Sequence, residues 1–343
     1  MQTIKSLWTQ TFPSKPTLTA ANLPPQTGKV IIITGATSGL GFELARVLYN
    51  AGATVYIGAR NEAKAKAAIE TITANTTSAA GTSTRTGSGE LHYLPLDLSE
   101  LRTIKLFVTS FLSAQSRLDL LFNNAGVASI PPSNLTAQGL EPHLGINCAG
   151  PYLLTQLLVP ILTSTAQNPN TPKDSVRVIW SSSMTVDFLV PKHGITKATL
   201  ENTPTDPNVN YALSKAGNWL LADRLAKQLA GAGVLSITQN PGNIYTPIFD
   251  NTPRIVVWLS MPIYYRPSQG VNTILWAGFS ETITMEDGGG YVIPFGRWHP
   301  YLRKDLLEAL DDRVDGGDER ENEGRGLARG FEEWCERVTK EFR

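Results

Sequence analysis

"KVIIITGATSGLG", residues 29 to 41, joins a continuous apolar run to a glycine-rich turn. A run with no polar alternation suits a strand buried on both faces. Gly35, Gly39 and Gly41 follow with the spacing G-x-x-x-G-x-G, and an amphipathic stretch then runs from about Gly41 to Asn50. Glycines at such a point permit a tight turn and a close approach of backbone to ligand. A helix opening there presents free N–H groups and a partial positive charge to an anion. Strand, glycine turn and helix in that order read as a cradle for a pyrophosphate, with the Ser38 oxygen and the Leu40 amide against it.

Working outward, the strand signature returns in "ATVYIGAR" (53–60), "LHYLPLDL" (91–98), "LDLLFNNAG" (118–126), "VRVIWSSS" (176–183) and "GVLSITQNPG" (233–242). A late run, "GGYVIPFG" (289–296), adds a seventh strand. Helical patterns lie between the runs, at 61–72 and around 101–114, 136–163 and 211–230. This alternation predicts an α/β fold, doubly wound, with a mostly parallel seven-stranded sheet and helices on both faces. Residues 1–27, rich in Pro, Thr and Gln, read as an arm before a single domain spanning 28–300. Residues 72–90 are low-complexity and read as a surface loop. In the 301–343 tail, a charged, glycine-rich linker (311–326) precedes an amphipathic helix able to dock through Phe331 and Trp334.

The bulk composition excludes several classes. The formal net charge is zero, so no basic field holds a nucleic acid. Cys148 and Cys335 are too few for a disulfide framework, which points to a reduced, cytoplasmic setting. The histidines His92, His143, His193 and His299 show no metal-ligand spacing, and no metal is expected. No run reaches transmembrane length. "RIVVWLSMPIYY" (254–265) reads as a buried or lid segment, with a peripheral membrane contact left open.

The ends of the later strands extend the cradle. Dinucleotide folds that select the unphosphorylated cofactor place an acid after the second strand, to bind the ribose 2′-hydroxyl. Here the strand ends Ala59–Arg60, with no carboxylate, and Lys64 stands one turn on. A guanidinium there pairs with a 2′-phosphate, so the expected cofactor is NADP(H). The alternative for Arg60 is a solvent-facing charge. Asp97 can accept from the adenine amino group, and Leu98 can line its pocket. Asn124, Ala125 and Gly126 let the cofactor pass close to the sheet, with Asn124 also suited to bridging strands. In "YALSK" (211–215), Tyr211 and Lys215 share one helix face at i, i+4 and can reach a common ligand.

"TGATSGLG", "NNAG", "YALSK" and "NPGNIYT", in this order, resemble the short-chain dehydrogenase/reductase family across roughly residues 28–300. "HLGINCAGPYLLTQLLVPIL" and "SKAGNWLLADRLAKQL" are similar to the retinol-dehydrogenase-like branch and its filamentous-fungal relatives. The resemblance implies a Rossmann-type domain and hydride transfer between nicotinamide and a substrate carbon. It implies Tyr211 as acid/base, and Lys215 as the group that lowers the phenol's pKa from near ~10 and holds the ribose. Aligning the fifth strand's end makes Ser183 the catalytic serine, with Ser182 as runner-up. It gives Asn147 a water linking Lys215 to solvent; the alternative is a helix-internal side chain bonded to backbone. Pro241 and Gly242 bend the chain over the nicotinamide, and Ile244 and Thr246 contact its carboxamide.

The segment 247–268 is apolar and aromatic, with Ile248, Phe249, Ile255, Val256, Trp258, Leu259, Tyr264 and Tyr265. It suggests a lid over a hydrophobic, bulky substrate. Core packing and a homo-oligomer interface are the alternatives. The expectation is an NADP(H)-dependent reductase or dehydrogenase of a hydrophobic ketone or aldehyde and its alcohol, with a role in secondary metabolism. A non-catalytic cofactor-binding sensor or scaffold, and a redox-neutral epimerase, are the competing readings.

Overall fold

The computed structural model describes residues 2–78, 89–244, 264–313 and 324–343. The opening run forms β1 (Val30–Thr34), and every residue in it is buried. It lies parallel between β2 (Thr54–Ala59) and β4 (Leu120–Asn123). Ile31 and Ile33 point into one core and Val30 and Ile32 into the other. Both faces are covered, which is why the run lacks polar alternation.

The remaining strands are β3 (Glu90–Pro95), β5 (Arg177–Ser181), β6 (Leu235–Gln239), β7 (Tyr291–Ile293) and β8 (Arg297–Trp298). They form one sheet in the order β3-β2-β1-β4-β5-β6-β7-β8, parallel except for β8. This is the doubly wound fold, with eight strands where the sequence predicts seven. The extra strand follows a reversal in which Phe295 and Gly296 have φ of 68° and 81°. Two residues carry no periodicity, so β8 leaves no mark on the pattern.

The helices are α1 (Gln2–Thr11), α2 (Gly39–Asn50), α3 (Glu62–Ser78), α4 (Arg102–Ala114), α5 (Pro142–Ala166), α6 (Lys197–Glu201), α7 (Pro207–Leu229), α8 (Pro267–Phe279), α9 (Lys304–Leu310) and α10 (Leu327–Thr339). α2, α3 and α8 cover one face through Leu44, Leu48, Ala65, Ile72, Val271 and Leu275. α4, α5 and α7 cover the other through Phe107, Phe111, Leu154, Leu158, Leu213 and Leu220. α3 extends six residues past the helical pattern that ends at Ile72 and so occupies the start of the low-complexity stretch; residues 79–88 of that stretch lie outside the described residues.

α5 corrects the expectation that no segment reaches membrane-spanning length. By length and composition it can cross a bilayer, yet 72% of its apolar window is buried inside the fold. The polar residues scattered in the sequence run hide that length, and the neighbouring helices supply its cover. α10 packs against α7 through Phe331, whose ring lies 2.7 Å from where a Cβ on Gly217 would sit. α1 is the start of the stretch read from sequence as an arm. Its Ser6 and Gln10 are each only 1% exposed.

Candidate active site

The strand order reverses between β1 and β4, and open α/β sheets bind ligands at such a point. A cleft of about 480 Å³ opens there, at the carboxyl ends of the strands. Gly35, Ser38, Gly39, Leu40, Gly41, Arg60, Lys64, Asp97, Leu98, Asn124, Ala125 and Gly126 all line it. Gly35 and Gly39 adopt φ of 72° and 58°, values that favour glycine. Gly41 serves packing instead: a Cβ would meet Gly35 O and Asn124 Nδ2, both at 2.6 Å. Ser38 precedes α2 in extended conformation without capping it, so its hydroxyl and the first-turn amides are left for a ligand.

Arg60 is exposed on the rim, and neither its guanidinium nor the Lys64 ammonium has an ion-pair partner among the described residues. The Asp97 carboxylate takes two bonds from Ser99, from the amide at 2.9 Å and the hydroxyl at 2.6 Å. Asn124 bridges strands, its Nδ2 donating to Thr34 O at 2.9 Å. The Thr34 hydroxyl, which the sequence reading missed, accepts from the Asn124 and Ala125 amides at 3.0 and 2.9 Å. A lone hydroxyl residue ending the apolar run was the available signal.

Gly126 marks the passage from the phosphate end to the chemical end. A Cβ there would sit 3.1 Å from Lys215 Nζ and 3.2 Å from Asn147 Oδ1. Lys215 and Tyr211 come from the first half of α7, which begins on an Asp206 cap with Pro207 in its first turn. Lys215 Nζ donates to Ser181 O at 3.1 Å and stands 5.5 Å from the centroid of the Tyr211 ring. Burial pushes the Tyr211 phenol above its ordinary pKa, and the neighbouring Ser183 side chain pulls the other way. The direction is opposite to the lysine-driven lowering anticipated from sequence, and Lys215 is not among the groups that shift the phenol. Burial also brings Lys215 down to about 8.

The two serines separate cleanly. Ser182 is buried, donates to Lys215 O at 2.8 Å, and accepts from the Tyr291 hydroxyl at 2.9 Å. Ser183 begins a 3₁₀ turn, Met184–Asp187, and stays partly exposed beside Tyr211. Tyr291 also donates to Ser183 O at 3.0 Å; nothing in its strand sequence signals that contact. Asn147 sits in a π-helical turn of α5, Gly145–Ala149, a feature frequent at functional sites. Its Oδ1 accepts from Val127 N at 2.8 Å, and its Nδ2 donates to Val127 O at 3.0 Å and Ser214 Oγ at 2.9 Å.

Gly242, with φ of 94°, turns the chain after Pro241 and packs against Pro294. The Ile244 side chain is buried against Gly270, and the Ile244 backbone forms a parallel β-bridge with Tyr265. Thr246 and residues 247–263 of the expected lid lie outside the described residues. His143 is fully buried and bonded to Glu141 at 2.7 Å, with its ring edge-on to Tyr211 at 6.3 Å. The described residues hold no group of His, Cys, Asp and Glu able to bind a metal.

A family model described as short chain dehydrogenase matches residues 29–187. The chain is 38% identical to the short-chain dehydrogenase/reductase bet4 of Neocamarosporium betae, over 99% of this chain and 95% of that protein. It is 30% identical to human retinol dehydrogenase 11, over 77% of each. An uncharacterised protein of Mycobacterium paratuberculosis shares the fold, with a TM-score of 0.63 and 27% identity over 94% of this chain and 97% of that one. The glycine cradle is spaced for a dinucleotide, and Ser183, Tyr211 and Lys215 converge where that cradle ends. On this combined ground the chain belongs to the short-chain dehydrogenase/reductase family, oxidoreductases that act on CH–OH groups with a nicotinamide cofactor.

Proposed function

We propose that the protein is an NADP(H)-dependent oxidoreductase that interconverts a hydrophobic ketone or aldehyde and its alcohol. The carrying observation is the meeting of Ser183, Tyr211 and Lys215 beside Gly126, at the inner end of the cleft. The α2 amides and Ser38 hold the pyrophosphate, and Arg60 and Lys64 hold the 2′-phosphate. Two cations without an ion-pair partner among the described residues, beside a strand end lacking a carboxylate, support NADP(H) over NAD(H). Lys215 holds the nicotinamide ribose, and the chain from Pro241 to Ile244 faces the nicotinamide ring.

The cofactor supplies or takes up the hydride when bound. Ser183 holds the substrate oxygen by its hydroxyl, and Tyr211 gives that oxygen a proton in the reductive direction. Burial keeps the phenol neutral at pH 7, so the proton is in place before reaction. The Lys215 ammonium opposes the charge that builds on the phenolate as the proton leaves. Asn147 has its amide engaged on both edges of Val127, so its role is to hold the Gly126–Val127 wall rather than to carry a water. Apolar Val127, Ala128, Ile130 and Ile146 line the cleft. Phe188 and Leu189, 47% and 38% exposed, follow the Ser183 turn. These surfaces support a hydrophobic substrate, and the fungal relative supports a role in secondary metabolism.

The test is consumption of reduced nicotinamide by purified protein with a panel of aliphatic and aromatic aldehydes and ketones. The expected result is turnover, with NADPH favoured over NADH. Arg60→Ala should cut that preference by about tenfold or more, the scale of a lost charged hydrogen bond. No turnover with any panel member, or an unchanged preference in Arg60→Ala, would overturn the corresponding half of the proposal.

A further inference from the structure

α1 precedes the residues matched by the family model, and its polarity is inverted. Ile4, Leu7, Trp8 and Phe12 are exposed, between 44% and 72%, while Ser6 and Gln10 are buried. Hydrogen bonds rather than apolar burial therefore seat this helix. Burying a polar side chain is costly unless its partners are in place. The partners here lie on both sides of the chemical end of the cleft.

Asp187 closes the 3₁₀ turn that Ser183 begins. Its Oδ2 accepts from Ser6 Oγ at 2.5 Å, Gln10 Nε2 at 2.6 Å and His299 Nε2 at 2.9 Å. The Nδ1 of His299 accepts from Tyr301 N at 3.0 Å, which leaves the proton on Nε2. On its other edge, Gln10 Oε1 accepts from Asn240 Nδ2 at 2.5 Å. Asn240 Oδ1 in turn accepts from Gly242 N at 3.0 Å. A carboxylate can only accept, so every amide along this chain has a single orientation. A primary amide is the group that donates to one loop and accepts from the other.

We propose that Gln10 is a positioning residue for the reaction. It ties the turn after Ser183 to the turn after β6, and so sets the spacing between the hydroxyl that holds the substrate oxygen and the Pro241–Gly242 bend. This rests on the roles proposed above for Ser183 and for that bend. α1 has other anchors: Arg297 donates to Thr9 O at 2.7 Å and Thr9 Oγ1 at 3.1 Å, and the Tyr265 hydroxyl donates to Thr11 O at 3.0 Å. A change at Gln10 can loosen the two turns without releasing the helix.

The test uses the full chain with Gln10→Met, which keeps the volume and removes the bonds to both loops together with the one to Ser6 Oγ at 2.8 Å, and Gln10→Ala as a second variant. Trp8→Ser, on the exposed face of the same helix, is the control. Amide hydrogen exchange is read over 183–188 and 240–244, and turnover with NADPH and the panel carbonyl that wild type reduces fastest. Expected for both Gln10 variants is faster exchange in the two segments together. Their kcat should fall about tenfold to a hundredfold, the range for a misplaced reacting group, with KM for NADPH near wild type and the thermal midpoint lowered by no more than a few degrees, the cost of leaving the buried Asn240 Nδ2 without its acceptor. Trp8→Ser should match wild type throughout. Wild-type exchange in either segment, or a wild-type kcat, would overturn the proposal. So would faster exchange along all of α1 with a midpoint lowered further than that, since Gln10 would then only seat the helix. Turnover retained in Tyr211→Phe would instead overturn the reading of the reaction, and the exchange data would still decide what Gln10 does.

Discussion

The two ends of the cleft are built in opposite ways. At the phosphate end, the cradle is one local stretch: β1, the glycine turn and the first turn of α2. At the chemical end, Ser183 is held by residues that the chain brings from far away. Tyr291 reaches Ser182 across 109 positions, and Gln10 reaches Asp187 across 177 and Asn240 across 230. The reason is physical. A pyrophosphate is a diffuse anion that backbone amides at a helix end can bind. A proton transfer needs particular side-chain atoms at fixed separations, and only cross-chain packing holds those.

The strongest way to break the comparison is to remove the proton while leaving the cradle alone. Tyr211→Phe should lower kcat about 10²- to 10⁴-fold, the usual range for a general acid. Cofactor affinity, measured by quenching of protein fluorescence, should stay within a few-fold of wild type. A comparable loss of affinity would mean that the two ends are not separable.

Adding one methyl at each end sharpens the contrast. In Gly41→Ala the new Cβ meets backbone and an anchored amide at 2.6 Å, so the cradle must shift. Cofactor Kd should rise about tenfold, with stability lowered by about 1–3 kcal/mol. In Gly126→Ala the new Cβ meets the tip of Lys215 at 3.1 Å. There kcat should fall several-fold with Kd little changed. Calorimetric titration and steady-state kinetics on both variants check the split.

The smallest effect concerns the cost of burying a charge. Lys215 has a folded-state pKa of about 8 against an ordinary 10.5. Between those values the unfolded chain binds more protons, so stability rises with pH across that window, and the burial cost is fully present below it. Lys215→Met should therefore be more stable than wild type at pH 7, by a few degrees in thermal midpoint. The gap should close as pH approaches 10.5. Ser181 O keeps the Asn218 Nδ2 bond at 2.8 Å, so removing the lysine orphans no acceptor. A lower midpoint for the variant at pH 7 would show that the ammonium's contacts outweigh its desolvation.

Much of this arrangement was legible in the residues themselves. The period-free run Val30–Ile33 announced a doubly covered strand, and the glycine spacing after it announced the cradle. Tyr211 and Lys215 were legible because a helix fixes which residues share a face. The register of the serines was open between Ser182 and Ser183. Only the fold separates them, by placing Tyr291 on one and Tyr211 beside the other.

α1 shows what a linear reading misses. A helix with its apolar residues outward and its polar residues inward does not look like part of a core, because amphipathic pattern encodes hydrophobic burial and not hydrogen bonding. The sequence by itself determined the strand–helix alternation, the glycine turn that opens α2 and the shared helix face of Tyr211 and Lys215, since each depends on neighbours within a turn or two. The tertiary structure alone decided which serine faces the phenol, the direction of the tyrosine's pKa, and the joining of two distant loops through Gln10. Those properties depend on desolvation and on contacts between remote segments, and neither exists until the chain has closed around them.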